Sequence, residues 1–309
     1  MRVLMTGGTG LIGTALTQSL LADGHSVWAL TRRDPGPALR LRSGQALATG
    51  NLTLVRWDGR TPSGWGGLVS ETDAVVNLAG ESLSKWPWTE KQKARFWQSR
   101  VDAGRALVEA IRSASPRPQA LIQISGINHY GMHGEPADES TPPGGDFLAR
   151  LTVAWEDATK EVESLGVRRC VVRLGVVLAK RGSLFPLMAL PVRMFAGGPI
   201  GSGKQAVPWV HLDDVTGALR FLLENEQASG AYNLIAPEPV SNADFYKALA
   251  KALGRPYWLP APAFLLRLAL GGMSVLVVDG RYAQPKRLLE AGYRFQVEGM
   301  GEAMKRLVG

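Results

Sequence analysis

The chain has 309 residues, 45% of them apolar. That length suits about two domains of roughly 150 residues and a sizeable core. The formal net charge of +8 is scattered, with no Lys/Arg block, so an anionic cofactor and a basic surface explain it and no nucleic-acid partner is expected. No apolar run reaches the ~20 residues of a membrane span, so no membrane partner is expected. One cysteine, Cys170, excludes an intramolecular disulfide; with no signal peptide ahead of the first strand, a cytoplasmic setting is expected.

Arg2-Val3-Leu4-Met5 is an apolar run of strand length, and Leu11 to Leu21 recur at helical spacing up to Asp23-Gly24. Between them lie Thr6-Gly7-Gly8-Thr9-Gly10-Leu11-Ile12-Gly13. A Gly-rich stretch where a strand turns into a helix is a phosphate site. Gly7 permits the turn, Gly10 admits a pyrophosphate, and Gly13 lets the helix pack close. Backbone N–H groups around Thr9, Leu11 and Ile12 and the helix dipole face the phosphates.

The second strand, His25 to Leu30, ends at Thr31-Arg32-Arg33. A carboxylate here would bond the ribose 2′-OH of NAD; two guanidinium groups suit a 2′-phosphate instead. Asp34 comes just before Pro35 and turns away. The expected coenzyme is therefore NADP(H), bound in part by Thr31, Arg32 and Arg33.

Residues 36–50 read as a loop or ragged helix, and Asn51 to Trp57 as a third strand. Asp58 after it either contacts the adenine or caps a turn. Asp73 to Leu78 is a fourth strand, and the small residues in Leu78-Ala79-Gly80-Glu81 let backbone approach the cofactor. Thr89 caps a long helix through Arg112. A fifth strand, Ala120 to Ser125, leads into Ser125-Gly126-Ile127-Asn128-His129-Tyr130-Gly131. Function concentrates outside such strand ends, so this loop is the candidate for chemistry. A helix from Phe147 to Leu165 and a sixth strand, Arg168 to Leu174, follow.

This alternation predicts an α/β fold: a Rossmann-type doubly wound parallel sheet with a smaller C-terminal α/β substrate domain. Residues 1–178 form the main part of the NADP-binding domain. Residues 179–309 are mostly substrate-binding, with some segments returning to the sheet. Within them come a Gly/Pro-rich stretch at 182–205, short elements at 206–210 and 231–234, helices near 213–223 and 242–253, and Pro-interrupted apolar segments from Trp258 to Val278. Arg267 inside the last stretch argues against a membrane anchor.

The fingerprint, Asn77-Leu78-Ala79-Gly80, Ser125 and Trp209-Val210-His211-Leu212-Asp213-Asp214-Val215 resemble the extended short-chain dehydrogenase/reductases, which include the nucleotide-sugar epimerases. More narrowly, the chain resembles an atypical "epimerase family", some of whose members are named as cell-division inhibitors. Trp88-Thr89, Ser99-Arg100, Trp155-Glu156, Arg173-Leu174-Gly175, Gly197-Gly198-Pro199-Ile200-Gly201-Ser202-Gly203 and Pro285-Lys286-Arg287-Leu288 carry that likeness. The resemblance implies NAD(P) binding. A homodimer through the helices after the fourth and fifth strands is common in such relatives.

Standard members use Tyr-x-x-x-Lys on the helix after the fifth strand. Alignment puts Leu151 and Trp155 there, and neither exchanges a proton. Tyr282 and Lys286 have the literal spacing, but Pro285 breaks the helix between them. Ser125 matches the superfamily serine that bonds a substrate carbonyl, and His129 or Tyr130 gives the proton, His having the better pKa near neutrality. Glu81 and Arg100 reach cofactor or substrate, or form an ordinary salt bridge. Lys204 meets an anionic substrate or is merely solvated, and His211 caps a helix. No metal site is expected. Three functions follow: an NADP(H)-dependent oxidoreductase acting on an unidentified small carbonyl or hydroxyl substrate, a non-catalytic NADP(H)-binding regulator, and, most weakly, a nucleotide-sugar epimerase.

Overall fold

The computed structural model describes residues 1–32 and 51–309. Arg33 and the loop expected at 36–50 lie outside them. Among the described residues one parallel sheet dominates, built from β1 (Arg2–Thr6), β2 (Ser26–Thr31), β3 (Leu52–Arg56), β4 (Ala74–Asn77), β5 (Ala120–Gly126) and β6 (Arg168–Leu174), with β9 (Gly230–Leu234) as its far edge. The order is β3-β2-β1-β4-β5-β6-β9, every pairing parallel. The order reverses between β1 and β4, so the crevice outside the carboxyl end of β1 is where an open α/β sheet binds its ligand.

Strand alternation divides the core in two. Val3, Met5, Val76, Ile122, Cys170 and Val172 pack with Leu16 and Leu20 of α1 (Leu11–Ala22) and Leu219 and Leu222 of α5 (Leu212–Glu224). Leu4, Leu30, Val75 and Leu121 face the other way, onto Leu107 and Ile111 of α2 (Glu90–Ser113). Thr89 caps α2, accepting from the N–H of Gln92 at 3.2 Å. Cys170 is wholly buried and its Sγ donates to the Ala228 carbonyl at 3.1 Å. Burial pushes this thiol above its ordinary range.

One expected element is shorter than its pattern. The helix expected through Leu165 ends at Asp157 (α3, Phe147–Asp157) and passes into a 3-10 turn at Lys160–Glu163. The Glu156 carbonyl, which a longer helix would use, is taken by the Arg169 guanidinium at 3.0 Å and the Thr159 hydroxyl at 3.3 Å.

The C-terminal part forms a second core around the pair β7 (Val176–Leu178) and β8 (Trp209–His211). Trp209 packs there with Phe185 of α4 (Phe185–Arg193), Phe245 and Leu249 of α6 (Asn242–Leu253), and Met304 of α10 (Met300–Val308). The two parts are tied through Asp214, fully buried, whose carboxylate accepts from the N–H groups of Gln296 (2.6 Å) and Val297 (3.0 Å). The segment from Pro262 onward adds α7 (Ala263–Leu270), α8 (Val275–Val278) and α9 (Lys286–Glu290).

Candidate functional site

The Gly-rich turn lies in the switch-point crevice. Gly7 has φ +67°, and a Cβ there would stand 2.8 Å from the Leu78 carbonyl oxygen. The same atom on Gly13 would stand 2.4 Å from the Gly7 carbonyl oxygen. The glycines therefore hold three pieces of backbone in contact: the turn, the first turn of α1, and the chain leaving β4. The N-cap of α1 is Gly10, with no side chain bonding the helix N–H groups and no acid in the first turn. That positive, uncapped helix end fits a pyrophosphate. Thr9, Leu11 and Ile12 surround it.

At the end of β2, Thr31 is buried and Arg32 exposed, its Cδ passing over the Gly59 turn. Of the two readings of Asp58, the turn is what the structure displays. Its carboxylate accepts from the N–H groups of Arg60 (2.7 Å) and Thr61 (2.8 Å) and from the Thr61 hydroxyl (2.7 Å). Those bonds hold its pKa below the ordinary carboxylate range.

On the α2 face, the apolar alternation becomes polar near the carboxyl ends of the strands. Thr6, Asn77 and Gln123 lie side by side in register. Thr6 Oγ1 donates to Asn77 Oδ1 (2.6 Å) and Asn77 Nδ2 to Gln123 Oε1 (2.8 Å), while Thr6 Oγ1 accepts from the N–H groups of Leu78 (3.0 Å) and Ala79 (3.1 Å). Burying such groups is costly unless each is bonded. Here the bonds fix Leu78 and Ala79 against the glycine turn.

Two residues beyond Gln123, a second row begins. Ser125 of β5, Arg173 of β6 and Asn233 of β9 are in register, all buried. Over them lies Glu156, on the same face of α3 as Thr152, which touches Gly126. Ser125 Oγ donates to Glu156 Oε1 at 2.7 Å. Arg173 grips the same carboxylate with two bonds, Nε to Oε1 and Nη2 to Oε2, both 2.9 Å. His129 Nδ1 is 3.3 Å from Oε1, in ion-pair range but out of line for a hydrogen bond. Burial raises the pKa of Glu156, but His129 and Arg173 together outweigh it and bring the group down to about 2.

Tyr130, also a candidate proton donor in the sequence, is buried with its hydroxyl engaged on both sides. Its hydroxyl donates to Asn233 Oδ1 (2.7 Å) and accepts from Arg173 Nη1 (2.9 Å). Burial pushes the phenol above its ordinary range, Arg173 only partly opposing this. Ser125 and His129, the other two candidates, both face the Glu156 carboxylate.

Glu81 and Arg100 do not pair side chain to side chain. Glu81 Oε1 accepts from Gln92 Nε2 (2.8 Å) and lies 2.9 Å from Lys85 Nζ; these partners outweigh the upward effect of burial and lower its pKa. Arg100 is buried, donating from Nη1 to the carbonyls of Glu81 (3.1 Å) and Phe96 (3.0 Å). A Cβ on Gly80 would meet its Cζ at 3.3 Å, and that Cζ stands 4.5 Å from the centre of the Trp155 ring. Burial lowers its pKa to about 10, so it stays charged. A cation of α2 thus stands against the Trp155 ring.

Elsewhere, His211 caps α5, accepting from the Asp213 N–H at 3.2 Å. Tyr282 and Lys286 stay apart: the Tyr282 hydroxyl reaches the Lys204 carbonyl, and Lys286 faces Asp138. The sequence reading gave no role to Glu156 or Arg173, although both stood in the family-like segments. Strand parity was the available signal for Arg173, since it shares a face with buried Val171 and sits beside Ser125.

Comparison with known proteins agrees with this geometry. Residues 3–234 match the model of the NAD dependent epimerase/dehydratase family, and residues 261–307 a domain of unknown function, DUF1731. Epimerase family protein YfhF of Bacillus subtilis is 36% identical over all of this chain and 98% of its own length. Epimerase family protein SDR39U1 of Bos taurus is 37% identical over the whole of both chains. The crystal structure of human epimerase family protein SDR39U1 (isoform 2) with NADPH has a TM-score of 0.85 and 34% identity, covering 100% of this chain and 99% of that one. The UDP-glucose 4-epimerase of Thermus thermophilus, solved with NAD, shares the fold at 22% identity and a TM-score of 0.76. With glycine turn, strand order and family match extending over most of its length, the chain belongs to the NAD dependent epimerase/dehydratase family as one of its atypical epimerase-family, short-chain dehydrogenase/reductase members.

Proposed function

We propose that this protein is an NADP(H)-dependent oxidoreductase of a small carbonyl or hydroxyl compound, working in the cytoplasm. Its proton carrier is the Ser125–Glu156–His129 group in place of Tyr and Lys. The observation that carries the reading is Glu156: a buried carboxylate that orders Ser125 at the strand end where chemistry occurs in this fold. Gly7, Gly10 and Gly13 with the α1 N-terminus hold the pyrophosphate, Arg32 the 2′-phosphate, and Leu78 to Gly80 the nicotinamide side. NADPH in the human SDR39U1 crystal supports the choice of coenzyme. When bound, NADP(H) supplies or accepts the hydride.

The chain's own part is to move the proton. Ser125 Oγ spends its hydrogen on Glu156, leaving its lone pairs to accept from a substrate hydroxyl. As that hydroxyl proton passes to Ser125, Ser125's own proton crosses Glu156 Oε1 to His129 Nδ1, which faces the same oxygen at 3.3 Å; a carboxylate held at about 2 relays the proton and the imidazole keeps it. Carbonyl reduction runs the same transfers backwards. Arg173 prevents the carboxylate from turning, and Arg100 adds a fixed positive charge beside Gly80.

NADPH oxidation, followed by absorbance against a panel of aldehydes and ketones, tests the reaction. Ser125→Ala is expected to lower kcat by roughly 100-fold or more while leaving NADPH affinity intact. A variant as active as the parent would remove Ser125 from the proton path, and no turnover with any carbonyl would favour the non-catalytic binder. Arg32→Ala separates coenzyme choice from chemistry. A lost charged hydrogen bond, worth about 1.5–3 kcal/mol, should weaken NADPH roughly ten- to a hundredfold and leave NADH unchanged. Calorimetric titration of both coenzymes reads this directly, and equal loss for both would remove Arg32 from the 2′-phosphate site.

A further inference from the structure

The C-terminal part carries an apolar surface that the catalytic reading does not use. Along α4, Leu187, Leu190 and Met194 recur at helical spacing on the outside, at 65%, 51% and 69% exposure. Phe195 continues the stripe, and α7 presents Phe264, Leu265 and Leu268, the last 83% exposed; no residue of α7 is buried. The two stripes are joined. The Gly197 carbonyl accepts from the N–H groups of Trp258 (2.8 Å) and Leu259 (3.0 Å), the Trp258 indole donates to the Phe195 carbonyl (2.9 Å), and the Gly201 N–H donates to the Ala261 carbonyl (2.8 Å). Exposed apolar side chains on two segments tied together in this way mark an interaction site.

Basic residues concentrate in the two stretches of chain that carry these helices. Residues 180–212 hold Lys180, Arg181, Arg193 and Lys204, all exposed, and no Asp or Glu. Residues 245–278 hold Lys247, Lys251, Arg255 and Arg267, all exposed, and again no acid. The excess in these two stretches equals the +8 of the entire chain. Two acids border the second stretch: Asp279 pairs with Arg267 at 2.9 Å, and Asp244 stands near Tyr257; Arg255 lies over the Phe195 ring at 4.3 Å.

We infer that this face docks on the surface of an anionic lipid bilayer, its leucines and aromatics entering the headgroup boundary and its lysines and arginines meeting the lipid phosphates. Apolar side chains among cations are what such an interface requires. A second copy of the same face would bring like charges together, and a nucleic acid would leave the leucines in water. No helix among the described residues is long and apolar enough to cross a membrane. The proposed contact is therefore with the bilayer surface, and it departs from the sequence expectation of no membrane partner. The docking face borders the site: Gly182, just before α4, abuts Leu11 of the phosphate turn, and Gly272, just after α7, abuts Trp88.

Flotation of the full chain with phosphatidylcholine vesicles, and with mixed phosphatidylcholine–phosphatidylserine vesicles, tests this. The protein is expected to float with the mixed vesicles only and to be released by added salt. Leu187→Glu with Leu268→Glu should cut the bound fraction roughly tenfold or more. Arg193→Glu with Lys251→Glu, which alters charge alone, should do the same. An unchanged urea midpoint shows that either variant is folded. Absence from the mixed vesicles, flotation of both folded variants equal to the parent's, or a dimer in sedimentation that Leu268→Glu abolishes would overturn the inference.

Discussion

Glu156→Ala is expected to destabilise the fold by about 3–5 kcal/mol, the usual cost of leaving the other half of a buried ion pair alone. Arg173 is 7% exposed and gives two of its hydrogen bonds to this carboxylate; its third goes to Tyr130, which cannot carry the countercharge. Urea unfolding of parent and variant measures the difference. A loss below about 1 kcal/mol would show that water or a rearranged side chain satisfies Arg173. Glu156→Gln keeps the shape, removes the charge, and should fall between the two.

Acid unfolding gives the same residue a second signature. In the folded protein Glu156 ionises at about 2, against an ordinary 4.5. A depressed carboxylate stabilises above its unfolded pKa, and that stability is lost as pH falls through the folded value. The window here runs from about pH 5 down to about pH 2, and the share at stake is on the order of 3 kcal/mol. Glu156→Gln should flatten stability against pH within that window. An acid transition with the same slope in both proteins would place the sensitivity elsewhere.

Gly13→Ala is the second large effect. The added methyl would stand 2.4 Å from the Gly7 carbonyl oxygen and 2.6 Å from Gly8 Cα, both backbone, so no rotamer relieves it. Overpacking costs about 1–3 kcal/mol. Relief requires α1 to lift from the turn, which spoils the phosphate cradle, so coenzyme affinity should fall roughly tenfold or more. Gly301→Ala is the matched control. Nothing stands within 4 Å of a Cβ there, inside α10, and the change should be neutral or stabilise by about 0.4–1 kcal/mol. If Gly13→Ala binds NADPH like the parent, the close approach of helix and turn is not what shapes the site.

The sheet was legible because strand alternation and glycine punctuation are local. β1, β4, β5 and β6 fall within a residue or two of the runs read from sequence, and Thr89 caps the expected helix. Features that depend on partners distant in sequence were not legible. The placement of Glu156 over Ser125 and Arg173 depends on how α3 lies on β5 and β6, which no spacing encodes. Tyr130 invited a catalytic reading by its chemistry and its loop. Its hydroxyl proves to be taken by Asn233, more than a hundred residues on. Asp58 offered two readings since an aspartate after a strand suits either a turn or a ligand, and only the positions of Arg60 and Thr61 decide which bonds form. Composition hid the uneven spread of charge, because the basic residues of 180–212 and 245–278 lie in two stretches far apart in sequence.

Cys170 has a practical consequence. With its sulfur enclosed between sheet and α5 and its hydrogen given to Ala228, it is out of reach of alkylating or oxidising reagents in the native molecule. Being the chain's one thiol, it reacts only when β9 or α5 comes away from β6. Its labelling rate therefore times the opening of that edge of the sheet, against a silent background and without an introduced probe.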